Sequence, residues 1–114
     1  MRIIQISNEK EWIGVDLDGT LAEYTSFKGV DQIGKPVSKM LSRVKRWIKD
    51  GKKVKIFTAR ASGKDKNVAI KAIKKWCKEH IGKELEVTCE KDCFMTALWD
   101  DRAVQVEKNV GEKI

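Results

Sequence analysis

Trp12-Ile13-Gly14-Val15-Asp16-Leu17-Asp18-Gly19-Thr20 is the stretch on which the reading of this chain turns. A short uncharged run leads into two carboxylates two positions apart, followed at once by a glycine. A nearly continuous apolar run of this length, bounded by turn residues, reads as a parallel strand buried on both faces. Two acids at its end are costly to fold, because like charges that close raise each other's pKa or need a cation between them. One carboxylate can attack, the other can move a proton, and Mg²⁺ can hold the pair. Asp-Gly is also a common turn dipeptide, so a bland acidic turn after a strand accounts for the same residues. The rest of the chain decides between the two.

Working outward, residues 2–6 and 11–17 read as strands joined by the turn Ser7-Asn8-Glu9-Lys10, and they can pair as a hairpin. Residues 21–36 are irregular, punctuated by Gly29, Gly34 and Pro36. Val37, Met40, Leu41, Val44, Trp47 and Ile48 then recur at helical spacing and predict a helix over 37–50. Lys53–Thr58 is a short strand. A second helix over 65–81 carries the stripe Val68, Ala69, Ala72, Ile73, Trp76 and Cys77, and Gly82 stops it. Leu85–Cys89 reads as a strand, a turn or short helix follows near Phe94 and Met95, Ala97–Asp100 is a further strand, and Ala103–Glu107 a candidate fifth. Strands alternating with helices predict an α/β, three-layer sandwich with a Rossmann-like, mainly parallel sheet. Right-handed crossovers place every strand's carboxyl end on one edge, where ligands bind.

The 114 residues fit one domain over 1–114. No apolar run approaches a membrane span, and Met1–Ile6 has no signal-peptide architecture. Three cysteines, Cys77, Cys89 and Cys93, form no disulfide framework, and the C-x3-C spacing of the last two matches neither a zinc knuckle nor a redox motif. A cytoplasmic protein with idle thiols is the expectation. The net charge of +7 is unevenly spread: residues 35–83 hold 17 Lys and Arg against 3 Asp and Glu, whereas the remainder holds 7 against 14. A polyanionic partner is one reading of the basic middle. Solvated lysine-rich helix faces, with many surface ion pairs, are the other.

The strand ends carry a coherent set of groups. Asp16 and Asp18 end the first central strand, and Thr58-Ala59-Arg60 end the second. Lys91 lies just past the third, and Asp100-Asp101-Arg102 end the fourth. Carboxylates suit a hard cation, while a hydroxyl, a lysine and backbone N–H groups suit phosphoryl oxygens. Other signals are weaker. Gly29 to Pro36 nearly spells a P-loop, but Pro36 replaces the required Ser or Thr and no strand precedes it. His80 falls in the last turn of a helix, where a solvated imidazole is favoured by the dipole. Trp47, Trp76 and Trp99, and less clearly Trp12, read as core.

In this order the motifs resemble those of the haloacid dehalogenase (HAD) superfamily of phosphohydrolases: Asp16–Thr20 for its Asp-x-Asp-Gly-Thr motif, Thr58 for the second, Lys91 for the third, and Asp100 with Asp101 for the fourth. The resemblance spans about residues 11–107. It implies a Mg²⁺-dependent phosphatase in which Asp16 attacks phosphorus to give an aspartyl-phosphate, and Asp18 is the general acid and base. It further implies that Thr58 and Lys91 hold phosphoryl oxygens. Mg²⁺ is expected on Asp16, the Asp18 carbonyl and a motif-four acid, with Asp100 direct and Asp101 through water or Lys91. Arg60 and Arg102 flank the site, and Arg60 is a candidate substrate ligand or structural ion pair. The intervals between Asp18 and Thr58 and between Thr58 and Lys91 are too short for a cap domain, and 21–36 has the size of the family's squiggle-and-flap element. This resembles the short capless members found in phage genomes. An open site admits a large phosphorylated substrate, such as a nucleic acid end, or is closed by a second subunit in a homodimer. A nucleotide or other small phosphate ester is the alternative substrate. A nucleic-acid-binding or regulatory module with little turnover is the alternative function.

Overall fold

Alternating apolar strands and amphipathic helices fold as the expected α/β parallel sheet, but not as three layers: among the described residues both helices lie on one face of the sheet, because both crossovers run the same way across it. The structure, a computed structural model, describes residues 9–114. The strand expected over 2–6, and the hairpin with it, lies outside the described residues. In chain order the elements are β1 (Trp12–Val15), α1 (Ser38–Lys49), β2 (Val54–Phe57), α2 (Lys66–His80), β3 (Glu86–Thr88) and β4 (Met95–Trp99), with a 3₁₀ turn at Ala59–Ala61. Every neighbouring pair is parallel and the strand order is β3-β2-β1-β4. The fold is therefore a Rossmann-like α/β architecture with β1 at the centre of the sheet. Val15 is in register with Ile56 on one side and Trp99 on the other. That register brings the chain just after β1, β2 and β4 to one edge.

Val15, Val54 and Ile56 form the floor of the core. Met40 and Val44 of α1, and Ile73, Trp76 and Cys77 of α2, close over them. Met40 and Val44 stand four residues apart, as do Ala69, Ile73 and Cys77, so each helix buries a single stripe. Truncating a side chain as fully buried as Ile73 costs about 2–5 kcal/mol. Successive strand residues point to opposite faces, so Trp12 and Gly14 face away from this floor. Trp12 is 1% exposed; its indole N–H donates to Asp92 Oδ1 at 2.9 Å, and the Lys55 ammonium sits 4.5 Å from its ring centroid. The connection 89–94, anchored by that bond, is what the described residues place there in lieu of a helix.

Several expectations are corrected. The expected turn falls at Cys93 and Phe94, and Met95 already opens β4. Residues 103–107 are not a fifth strand of the sheet: Val106 makes an isolated antiparallel bridge with Lys113, and the segment is exposed, Val104 and Val106 included. Val68 is exposed because one helical step turns it off the Ala69–Ile73 stripe. Trp99 is not core: β4 is an edge strand, and the ring is 38% exposed beside Trp47 and Arg43. The surface ion-pair network is not met either. Among the described residues the ion pairs join Lys53 and Lys55 to Glu86 and Arg60 to Asp18, with no lysine of α1 or α2 taking part. No helix of the described residues is long and apolar enough to cross a membrane. No cap-sized insertion interrupts the chain between Asp18 and Thr58 or between Thr58 and β4.

Candidate active site

The site is built on the turn that follows β1. Asp16 N–H donates to Trp99 O at 2.9 Å, so the first acid stands one residue past β1, still hydrogen-bonded to the end of β4. The chain then curls tightly: Leu21 and Ala22 N–H both reach Leu17 O, and Gly19 N–H reaches Ala22 O. Leu17 and Leu21 are fully buried and pin this curl to the core. Gly19 has φ +86°, and a Cβ there would stand 2.6 Å from Asp101 Oδ2. The left-handed backbone calls for the glycine of the motif, and its lack of a side chain also admits the close approach of a carboxylate from β4's end.

Asp16, Asp100 and Asp101 converge. One carboxylate oxygen from each lies within 4.8 Å of the others. Thr20 Oγ1 donates toward Asp16 Oδ2 (3.4 Å) and Asp101 Oδ1 (3.3 Å), sharing one hydroxyl between them, and accepts from Asp101 N–H at 3.0 Å. Asp100 Oδ1 accepts from the N–H groups of Arg102 (2.7 Å) and Ala103 (3.1 Å), which fixes its orientation. The Asp16 carboxyl is pushed up to about 7. Burial is the largest cause, the hydrogen bond it shares with Asp101 the next, and the charges of Asp100, Asp101 and Asp18 add to it. An all-oxygen donor set of crowded carboxylates, one of them holding a proton near neutrality, fits a hard divalent cation such as Mg²⁺.

Arg60 meets Asp18 fork to fork. Its Nε donates to Asp18 Oδ2 at 2.8 Å and its Nη2 to Oδ1 at 2.9 Å. Nη1 donates to the carbonyls of Gly29 and Val30, both at 3.0 Å. The Arg60 side chain is 7% exposed and that of Asp18 22%. A carboxylate offers about four lone-pair sites, so the fork takes one on each oxygen of Asp18 and leaves one on each. Thr58 is buried, and its Oγ1 accepts from Arg60 N–H at 3.2 Å, which leaves its own proton to donate. Asp16, Asp18, Thr58, Arg60, Asp100 and Asp101 all line one cavity of ≈ 790 Å³.

Lys91 does not join them. It is exposed on the connection after β3 and does not line this cavity. β3 stops at Thr88 on the edge of the sheet, with two strands between it and β4, and the chain turns away there toward Asp92 and Trp12. Sequence reasoning missed Tyr24 and Phe27, which line the cavity and are 46% and 58% exposed. Their signal was two aromatic residues in an irregular, polar segment, where no core stripe accounts for them. The segment is held at its base by Glu23 N–H to Lys35 O and Val37 N–H to Leu21 O. Gly34 packs so closely on the Glu23 carbonyl that a Cβ would collide with it, and Trp76 Nε1 donates to Gly34 O at 3.0 Å.

No family model matches the chain. No curated protein matches it. Among solved structures it is similar to a conserved protein of Bacteroides thetaiotaomicron, with 21% identity over 82% of this chain and 77% of that one, and a TM-score of 0.56. A likeness at that identity speaks for the fold alone, a parallel α/β sheet with an acid-rich edge in this chain.

Proposed function

We propose that this chain is a Mg²⁺-dependent phosphatase of the capless haloacid dehalogenase type, hydrolysing a phosphate monoester. The observation that carries this reading is the convergence of Asp16, Asp100 and Asp101 beside Asp18 and Thr58, all in one cavity at the carboxyl edge of the sheet. A structural acidic turn has no need of three carboxylates held against one another.

Asp16 is the nucleophile: once deprotonated, its carboxylate attacks phosphorus and forms an aspartyl-phosphate. The leaving oxygen takes a proton from Asp18. In the second half Asp18 takes a proton from water, the water oxygen bonds to phosphorus, and the Asp16 carboxylate leaves. Arg60 holds Asp18 in place with one lone pair open on each oxygen. The Thr58 hydroxyl donates to a phosphoryl oxygen. Mg²⁺, held by Asp16, the Asp18 carbonyl and Asp100 with Asp101, would neutralise charge between the nucleophile and the phosphoryl group. Lys91, exposed and outside the cavity, is assigned no phosphoryl oxygen. Arg60, with its fork engaged by Asp18, is assigned to positioning rather than to substrate.

The test is hydrolysis of an aryl phosphate with and without Mg²⁺. Asp16→Asn is expected to lower kcat by about 10³ or more. Asp18→Asn is expected to be less severe with a good leaving group, which needs little protonation. Equal turnover by wild type and Asp16→Asn would overturn the reading. It would favour the rival, a nucleic-acid-binding module, for which the lysines of α1 and α2, outside the ion pairs of the described residues, speak.

A further inference from the structure

Tyr24 and Phe27 are large aromatic side chains left exposed at the mouth of the cavity that holds the acids. Their loop is anchored at several points, so they are presented and not merely loose. Arg60 bonds the carbonyls of Gly29 and Val30, and Trp76 bonds that of Gly34. The Phe27 ring centroid lies 5.3 Å from the Arg60 guanidinium, and that guanidinium bonds Asp18 at 2.8 Å. From inside outward the order is therefore acid, guanidinium, aromatic face. The guanidinium takes one face of Phe27, and the exposed remainder of the ring, beyond the arginine that holds Asp18, fits a flat ring separated from its phosphate by a spacer of sugar size. A cavity of ≈ 790 Å³ is in the range that takes a whole small ligand rather than a bare phosphate. Stacking on such a face is sequence-tolerant, because every base has a π-surface.

Resting on the phosphatase reading of this same cavity, we propose that the substrate is a nucleotide phosphate, either a free nucleoside monophosphate or the phosphorylated end of an oligonucleotide. The phosphate sits at Asp16 and the base stacks on Phe27 with Tyr24 beside it. The bond from phosphorus to the sugar oxygen breaks, the sugar oxygen gains a proton, and water supplies the oxygen that leaves as inorganic phosphate. Phosphotyrosine fits less well. Its ring is attached directly to the phosphate oxygen, with no spacer of sugar size between them.

Two measurements test this. The first is equilibrium binding to full-length Asp16→Asn protein with Mg²⁺, by calorimetry, of adenosine monophosphate, a 5′-phosphorylated oligonucleotide, ribose 5-phosphate and phosphotyrosine. The base-bearing ligands are expected to bind about tenfold tighter than ribose 5-phosphate, the value of one stacked base. Phe27→Ala in that background is expected to erase the difference and Phe27→Trp to restore it. The second is the ratio of kcat/KM for adenosine monophosphate to that for ribose 5-phosphate, expected to fall about tenfold in Phe27→Ala. Phe27 is exposed, so the substitution leaves the core intact. Equal affinity for adenosine monophosphate and ribose 5-phosphate would overturn the proposal, as would phosphotyrosine binding tightest. Base-dependent binding through Phe27 without any turnover would uphold the nucleotide site at Phe27 while removing the phosphatase reading and with it the nucleotide's part as substrate.

Discussion

Asp16 keeps its proton to a higher pH than an ordinary carboxyl, and any cation bound there must displace it. Its carboxyl has an ordinary value of 3.8 when unfolded and is pushed up to about 7 in the fold, chiefly by burial. Between these values the folded chain binds more protons than the unfolded one. The stability this group contributes is therefore fully present below 3.8 and is lost as pH rises through about 7. Mg²⁺ is expected to raise Tm more at pH 8, where no proton competes, than at pH 5. Thermal melts at both values, with and without Mg²⁺, check this; an equal shift at the two would contradict it. The motif-four acids are expected to differ as well. Asp100 is oriented by two backbone N–H groups, whereas Asp101 is exposed and engaged with Thr20 and Asp16. Asp100→Ala should weaken Mg²⁺ binding more than Asp101→Ala, and calorimetric titration of both variants in the reverse order would reassign the direct ligand. Of these relations, the two acidic pairs were legible as strand-end carboxylates. The closeness of Asp16 and Asp101, bridged by the Thr20 hydroxyl, was not, because the partners are brought together only by β1–β4 pairing.

Among the elements, the loop 24–34 and the 3₁₀ turn after β2 act as a unit through Arg60. One guanidinium joins Asp18 to the carbonyls of Gly29 and Val30. Losing it leaves Asp18 and two loop carbonyls without that donor, at a cost of roughly 1–3 kcal/mol. Arg60→Lys keeps the charge but not the fork. Its kcat is expected to fall about tenfold more for an alkyl phosphate than for an aryl phosphate, because only the former depends on well-placed proton donation by Asp18. Amide exchange in 24–34 should quicken in the same variant. Equal losses with both substrates would mean that Arg60 serves the fold alone.

At the scale of the whole molecule, the basic middle becomes a pair of helices whose lysines lie outside the ion pairs of the described residues. If they track an oligonucleotide whose end is in the cavity, affinity should fall with salt at a log–log slope of about −0.7 per single-strand phosphate neutralised. Charge reversal at Lys45, Lys49 and Lys74 is expected to flatten that slope, measured by fluorescence anisotropy with a labelled oligonucleotide. A slope unchanged by the reversals would return these lysines to solvated helix faces.

The sequence by itself determined the order of β1, α1, β2, α2, β3 and β4. It determined their types through the period of apolar residues, and it placed Asp16, Asp18, Thr58, Asp100 and Asp101 at strand ends, because a right-handed parallel sheet sends every such end to one edge. Those are local signals, carried by neighbours a few residues apart. Only the tertiary structure decided that Arg60 grips Asp18 across 42 positions, that Lys91 stands away from the cavity, and that Tyr24 and Phe27 form its rim. It also decided that 103–107 joins no sheet and that Trp99 stays partly open. Each of these depends on where an irregular segment runs or which strand lies at an edge. No periodicity encodes a loop's path, and no strand announces its own neighbours.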